Sequence, residues 1–329
     1  IAERGNVIMN GGSSDNAYAH IGNGGNNSDG THDGNITVSA NSVSATGGSG
    51  RSSYVQIGNG GHFGRGNATG DIKVEATAGD VDFKSGTNDR SYSQIGHGGL
   101  FQGGGNFALE GGIDVDASGD VKFASGGGAA NWKFTQVGHG GFQVNGTKSG
   151  NIDILAGGKI DFLGAGSTGI ESFVQVGHGG YQSGGNADGT IDVESQNGSI
   201  TFNAGNAESS FAQLGHGGRD SRGDYSDDIT VTATGGGVLF TGGTAGRTYA
   251  QLGHGGYEAD ATTAHTGNIS VTATGTEGVE FKAGDSSEAY SQLGLGGMRS
   301  DGNHDGNINV NATAGKVRFA SGSAGAGLW

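Results

Sequence analysis

One eight-residue phrase recurs eight times along the chain, and it constrains the fold more than any other feature. Its consensus is aromatic, small, Gln, aliphatic, Gly, His, Gly, Gly, as in YSQIGHGG. The copies begin at Tyr18, Tyr54, Tyr92, Phe134, Phe173, Phe211, Tyr249 and Tyr290, in steps of 36 to 42 residues. A near-constant step with small insertions is typical of stacked structural units, each contacting its neighbours.

Two further phrases lie between successive copies, and both alternate apolar and polar residues. One reads IDVDA from Ile113, and the other follows about eight residues later, as VKFASG from Val121. This period of two is typical of half-buried strands, and the Gly-, Asn-, Asp- and Ser-rich segments between phrases are typical of turns. The sequence predicts an all-β parallel solenoid of about eight coils, each with roughly 39 residues and three short strands.

The repeats fill the chain, so we expect a single solenoid over residues 1–329. The sequence opens with IAERGNVIMN, without an initiator Met, and closes with AGAGLW, which indicates a segment of a longer chain. The period alone leaves open whether one repeat makes one turn of the solenoid or two. The 75 glycines and the absence of proline suit a backbone that is ladder-bonded almost everywhere, because proline cannot donate to a ladder.

Charge and composition exclude several classes of function. The formal net charge is −15, with 17 basic against 32 acidic residues, and a nucleic-acid partner would need a basic stripe. No run of 18 apolar residues indicates a transmembrane helix. The absence of cysteine excludes a disulfide framework and a thiolate metal site. We expect no cofactor.

The sixth position of the main phrase forms a column of histidines: His97, His139, His178, His216 and His254. A metal array or a pH switch is the functional interpretation. However, Asn takes the position in the first two copies and Leu295 takes it in the last, and Leu binds neither metal nor proton. We therefore expect a structural ladder, and we expect the same of the glutamines Gln94, Gln136, Gln175, Gln213 and Gln251.

Alternation leaves open which face of this strand is buried, since the aromatic residue and Gln share one face and the aliphatic residue and His share the other. Leu295 and the aliphatic residues favour an inward His, with the aromatic row packed under a neighbouring loop. The residue after each Gly-Gly pair is aromatic at Phe142, Tyr181 and Tyr257. Exposed aromatic faces stack on sugars or partner proteins, so these three are candidate ligand contacts; capping the edge of the rod is the alternative.

A row of carboxylates occupies one outward strand position in three successive repeats, at Asp114, Asp153 and Asp192. Ca²⁺ could bridge such a row. Later repeats place Thr, Ser and Asn at this position, and the GGxGxDx nonapeptide of calcium-binding β-rolls is absent. A solvated acidic patch is the preferred interpretation, with Ca²⁺ as a weaker candidate.

The phrases GNITV, GDVDFKSG and YAQLGHGG resemble the repeats of filamentous-haemagglutinin-type adhesins, which are bacterial exoproteins exported by two-partner secretion. The resemblance covers essentially the whole chain. It implies a right-handed parallel β-helix, export through an outer-membrane transporter, and a secreted or cell-surface location. The family's Asn-Pro-Asn secretion motif is absent from this proline-free sequence, so the likeness is to the fibre shaft.

The resemblance also implies a function and partners. We expect a structural or adhesive fibre of a bacterial surface or biofilm matrix, and not an enzyme. Expected partners are a host-cell or matrix polysaccharide, another glycan or a protein receptor, with lateral or end-to-end self-association.

Two alternative functions come from other classes. A polysaccharide lyase or glycosidase would need a cluster of Asp, Lys and Arg found on one coil alone, and the nearest is the RDSRGD run at residues 219–224. An ice-binding solenoid would use flat rows such as Thr230, Thr232 and Thr272, which Lys73 and Glu75 interrupt, and a calcium-binding solenoid would use the carboxylate row.

Overall fold

The computed structural model describes residues 5–102, 105, 107–164, 166 and 169–322. These residues form 34 β-strands, with turns and bends between them and no helix. The ends of the expected single solenoid, residues 1–4 and 323–329 with the closing AGAGLW, lie outside the described residues.

Three long parallel sheets are present, one for each repeated phrase. The Ile–Val sheet consists of Ile36–Ala40, Ile72–Ala76, Ile113–Ala117, Ile152–Ala156, Ile191–Ser195, Ile229–Ala233, Ile269–Ala273 and Ile308–Ala312. The Phe sheet consists of Val7–Asn10, Val43–Thr46, Val81–Lys84, Val121–Ala124, Ile160–Leu163, Ile200–Asn203, Val238–Thr241, Val279–Lys282 and Val317–Ala320. The Gln sheet consists of Tyr18–Ile21, Tyr54–Ile57, Tyr92–Ile95, Phe134–Val137, Phe173–Val176, Phe211–Leu214, Tyr249–Leu252 and Tyr290–Leu293.

The register pairs each phrase with its own copy in the next repeat. Gln56 lies opposite Gln94, and Ile113 lies opposite Ile152. One repeat therefore makes one turn of the solenoid, which settles the question that the period left open. The prediction of a parallel solenoid of about eight coils is confirmed.

The Phe sheet has one strand more than the sequence analysis identified. Val7–Asn10 pairs in parallel with Val43–Thr46, ahead of the first aromatic phrase. Its sequence, VIMN, has Met9 at the place of the usual phenylalanine, and the Met9 side chain is buried. The strand keeps the alternation but not the residue type that marks the phrase elsewhere.

Short strands, which the sequence analysis did not predict, form a fourth set within the variable loops. A five-stranded sheet comprises His32–Asp33, Ala68–Thr69, Phe107–Glu110, Gly146–Ser149 and Ala187–Asp188. Two-stranded sheets pair Gly98–Leu100 with Gly140–Phe142 and Ala264–Thr266 with Asn303–Asp305. These loops differ in length between repeats, so their strands leave no periodic signal.

The Gln sheet separates two hydrophobic cores. The main core holds the inward residues of the three long sheets, such as Ile152, Phe162 and Val176. The second core holds the aromatic row of the Gln sheet, including Phe134, together with residues of the variable loops such as Phe142. Both faces of the Gln sheet are therefore buried, with the aromatic row under the loops.

Candidate functional site

The histidine column lies inside the solenoid and links each coil to the next. The rings of His139 and His178 stack with their centroids 4.6 Å apart. The backbone N–H of His139 donates to Nδ1 of His178 over 2.9 Å, and Nε2 of His178 lies 2.8 Å from the carbonyl oxygen of Gly150. Because Nδ1 accepts a hydrogen bond, the neutral ring carries its proton on Nε2 and donates it to the carbonyl. The same pair of contacts, at Nδ1 and at Nε2, occurs at His97, His139, His216 and His254.

Burial keeps these imidazoles neutral. It lowers the pKa of His97 and of His216 to about 4, and it lowers the pKa of His254 to about 3 with a smaller contribution from the neighbouring His216. Both nitrogens of each hydrogen-bonded ring are engaged with the backbone, so no lone pair is left for a metal ion. The geometry is that of a structural ladder.

Asparagine fits the same column because its amide reproduces both hydrogen bonds. Oδ1 of Asn59 accepts the backbone N–H of Asn23 over 2.8 Å. Nδ2 of Asn59 donates to the carbonyl oxygens of Gly34 and Thr69, each over 2.9 Å. Leu295 ends the column with an apolar side chain that packs against the main core.

The glycine before each histidine is required by the backbone. Gly177 has φ +141°, and a Cβ there would lie 2.0 Å from the carbonyl oxygen of Gly215 in the next coil. A side chain at this corner would therefore clash and be strained, which explains why the phrase keeps glycine at this point.

The glutamine column is buried on the opposite face of the strand from the histidines. Its amides hydrogen bond to the glycine that precedes the histidine in the next coil. Nε2 of Gln136 donates to the carbonyl oxygen of Gly177 over 2.9 Å, and Gln175 does the same to Gly215 over 3.0 Å. These amides also serve the aromatic row, since the Tyr249 hydroxyl donates to Oε1 of Gln213 over 3.2 Å. Gln94 and Gln251 make the equivalent contact, to the carbonyl oxygens of Gly138 and Gly294 in the next coil.

The expected exposure of Phe142, Tyr181 and Tyr257 is wrong. Their side chains are 3%, 4% and 1% exposed and belong to the second core. The first residue after the Gly-Gly corner turns inward and packs against the aromatic row of the Gln sheet. Tyr257 is further covered by the guanidinium of Arg219, which lies 4.1 Å from its ring centre.

The residue one place later is the one that lies at the surface in each coil. Phe63, Phe101, Gln143 and Gln182 have φ between 52° and 56°, the left-handed region. Phe63 is 44% exposed, and its ring lies 5.6 Å from that of Phe101 in the next coil. Sequence analysis missed this column, because only glycine or asparagine would have signalled a left-handed position.

These side chains line a continuous surface depression, here called the aromatic groove. Its largest part, about 510 Å³, is lined by Phe63, Arg65, Phe101, Gln102, Gln143, Asn145 and Gln182. A second part of about 310 Å³ adds Arg90, Trp132, Phe142, Glu171 and Tyr181, and a third of about 200 Å³ adds Asp15, Asn16, Arg51, Ser52 and His62.

The aromatic groove collects arginines without carboxylate partners. Arg51, Arg65 and Arg90 form no ion pair within the described residues, whereas the remaining described arginines each lie within 4.0 Å of a carboxylate: Arg219, Arg222, Arg247, Arg299 and Arg318. The Arg90 guanidinium lies 4.8 Å and 4.9 Å from the ring centres of Phe101 and Trp132. Such contacts hold a cation beside aromatic faces.

The carboxylate row lies elsewhere, on the outer face of the Ile–Val sheet. Asp114, Asp153 and Asp192 occupy paired positions in adjacent strands. Asp114 forms an ion pair with Lys73 at 3.0 Å, and partial burial raises the pKa of Asp153 and of Asp192. Among the described residues, no three or more His, Asp or Glu side chains are grouped so as to hold a metal ion.

The charged side chains of the RDSRGD run at residues 219–224 contact neighbouring residues of the solenoid. Arg219 is 5% exposed and covers Tyr257, and Oδ1 of Asp224 accepts the backbone N–H groups of Thr263 and Ala264. Arg222 lies 4.0 Å from Asp260 in the next coil. These partners give each of the three side chains a structural contact.

Comparison with protein-family models, with curated protein sequences and with solved structures gives no match to this chain. The fold and the groove therefore rest on the chain's own pairing and packing. The part of the chain that the structure describes has no helix long and apolar enough to cross a membrane.

Proposed function

We propose that this chain is a shaft segment of an extracellular fibre, secreted to or displayed on a bacterial surface or biofilm matrix, and that it acts by adhesion. One observation carries the proposal: the His, Gln, Phe and Ile columns recur from coil to coil, while surface variation is concentrated in the loops over the Gln sheet. A stack in which each coil repeats its neighbour extends in one dimension, as a fibre requires.

The aromatic groove is the adhesive face in this proposal. It lies on the variable loops, and its exposed aromatic, amide and arginine side chains suit a glycan or a protein receptor. The partners that follow are a host-cell or matrix ligand, an outer-membrane transporter during export, and neighbouring fibres.

Antibodies raised against this chain test the fibre proposal directly. They should decorate thin surface fibres on intact, unpermeabilised cells when viewed by negative-stain electron microscopy. Cells that lack the gene are the matched control and should show no label. Label found only after the cells are permeabilised would contradict an extracellular fibre.

A further inference from the structure

The aromatic groove combines exposed aromatic faces, amide side chains at coil spacing and arginines without carboxylate partners. We propose that it binds a strand of acidic polysaccharide, of the polyuronate class, lying along the axis of the solenoid. The inference rests on the proposed function, because it names the ligand class of the groove assigned to adhesion.

The aromatic side chains supply surfaces for sugar rings. Phe63 is exposed, and Phe101 follows it one coil later with the two ring planes 17° apart. Aromatic faces pack against the C–H faces of pyranose rings while leaving the hydroxyl groups free to hydrogen bond. Two nearly parallel faces along the rod axis favour a linear ligand in the same direction.

The amide side chains continue this line in the next two coils. Nε2 of Gln143 donates to Oε1 of Gln182 over 2.6 Å. This contact leaves Oε1 of Gln143 and Nε2 of Gln182 as an acceptor and a donor for hydroxyl or carboxylate groups. From Phe63 to Gln182 there are three coil steps, about 14 Å at strand spacing.

Charge selects an acidic ligand. On a chain of net charge −15, Arg51, Arg65 and Arg90 gather at this one groove. Two acidic residues border it. Asp15 accepts the backbone N–H of Arg51, and Glu171 accepts the indole N–H of Trp132.

The groove also ends at the coil where the side chains of its left-handed position change from uncharged to acidic. Beyond Gln182, the same left-handed position carries Asp220 and Glu258 in the next two coils. Carboxylates there repel a polyanion, and Arg222 and Arg299 in this region already lie beside Asp260 and Glu258. The ligand is therefore confined to the coils before Asp220.

The test is fluorescence anisotropy with labelled decagalacturonate, using variants whose new residues come from equivalent positions in other coils. The triple variant Arg51→Asn, Arg65→Asn, Arg90→Ser copies Asn131, Asn145 and Ser209. We expect it to weaken binding by about tenfold or more, equivalent to about 1.4 kcal/mol. Phe63→Asn copies Asn27 and should weaken binding severalfold with all arginines present.

Arg318→Gln is the matched control, since Arg318 is exposed, pairs with Glu280 and lies away from the groove. It should leave binding unchanged. Circular dichroism melts should show that every variant is folded. Unmeasurable binding by the unmodified chain, or binding that the groove variants leave intact, would overturn the proposal.

Two competitor ligands separate the chemical classes. Neutral dextran oligomers that compete as well as decagalacturonate would overturn the acidic assignment, and polyglutamate that competes equally would overturn the polysaccharide assignment. Fibre location is measured independently. Surface fibres that do not bind polyuronate would refute this inference alone, whereas binding by a protein confined inside cells would refute the fibre.

Discussion

The backbone N–H of His139 donates a hydrogen bond to Nδ1 of His178, and the two imidazole rings stack one coil apart. Nε2 of His178 in turn donates to the carbonyl of Gly150, at the corner before the Ile–Val strand. Each ring thus joins two coils and one corner while remaining neutral. The column behaves as an extension of the backbone ladder.

Replacement of His178 should depend on whether the new side chain can repeat these two bonds. His178→Leu would leave the N–H of His139 and the carbonyl of Gly150 without these partners inside the solenoid, at about 1–3 kcal/mol each. His178→Asn should cost less, because Asn59 makes both kinds of bond at its own place in the column. Urea unfolding of the two variants measures the difference.

His304→Leu is the control for these variants, since His304 is exposed near the C-terminal end of the described chain. It should change the free energy of unfolding by less than about 0.5 kcal/mol. Equal destabilisation by Asn and Leu at position 178 would contradict the hydrogen-bonding role of the column.

Acid should destabilise the folded protein, because the buried histidines of the column must stay neutral in it. Folding lowers the pKa of His97 to about 4 and that of His254 to about 3, whereas an unfolded histidine titrates at about 6.5. Below about pH 6.5 the unfolded chain binds protons that the folded chain does not. The stabilisation is fully present above that pH and falls as the pH drops towards about 4. Urea midpoints measured across this range provide the test.

Partly buried carboxylates act in the opposite direction, because the pKa of Asp153 is raised on folding and its protonation favours the folded chain. Asp153→Asn should therefore leave the acid sensitivity between about pH 6.5 and 4 in place. The double variant His139→Asn, His178→Asn should reduce it. A midpoint that stays constant over this range in the unmodified chain would refute the prediction.

The sequence predicts the solenoid well because each core position repeats one residue type, as with Phe162 beside Phe202. The occurrence of Asn and Leu at the histidine position also indicates the ladder. The burial of Phe142 could not be predicted, because alternation within a strand carries no information on what covers its outer face. The positions of Phe63 and Arg90 at the groove could not be predicted either, because neither residue type signals a left-handed backbone.

The phenylalanine column should show how strongly the core depends on its interior members. Phe162 is fully buried, and its ring stacks on Phe123 and Phe202 at 4.9 Å and 4.8 Å. Phe162→Ala should lower the free energy of unfolding by about 3–5 kcal/mol. Phe319, which is 59% exposed in the last described coil, is the control, and its replacement by Ala should cost well under half as much. Equal effects would contradict the column as the main source of core stability.

Lys148 is the side chain most at odds with its surroundings. It is 1% exposed, lies opposite Leu109 in the adjacent short strand, and donates to the carbonyl oxygens of Gly146 and Gly184, each over 2.9 Å. Burial lowers the pKa of Lys148 to about 7. Between about pH 7 and pH 10.4 the lysine is therefore protonated in the unfolded chain but mostly neutral in the folded chain. Stability should therefore rise as the pH increases from about 7 towards 10.

Lys148→Leu copies Leu109 and removes the buried charge, so it should raise the free energy of unfolding at pH 7 by about 1–3 kcal/mol. It should also flatten the rise in stability between pH 7 and pH 10. Lys84→Leu, at an exposed position of the Phe sheet, is the matched control and should keep that rise. A Lys148→Leu chain that melts at a lower temperature than the unmodified one would show that the two carbonyl contacts outweigh the desolvation of the ammonium group.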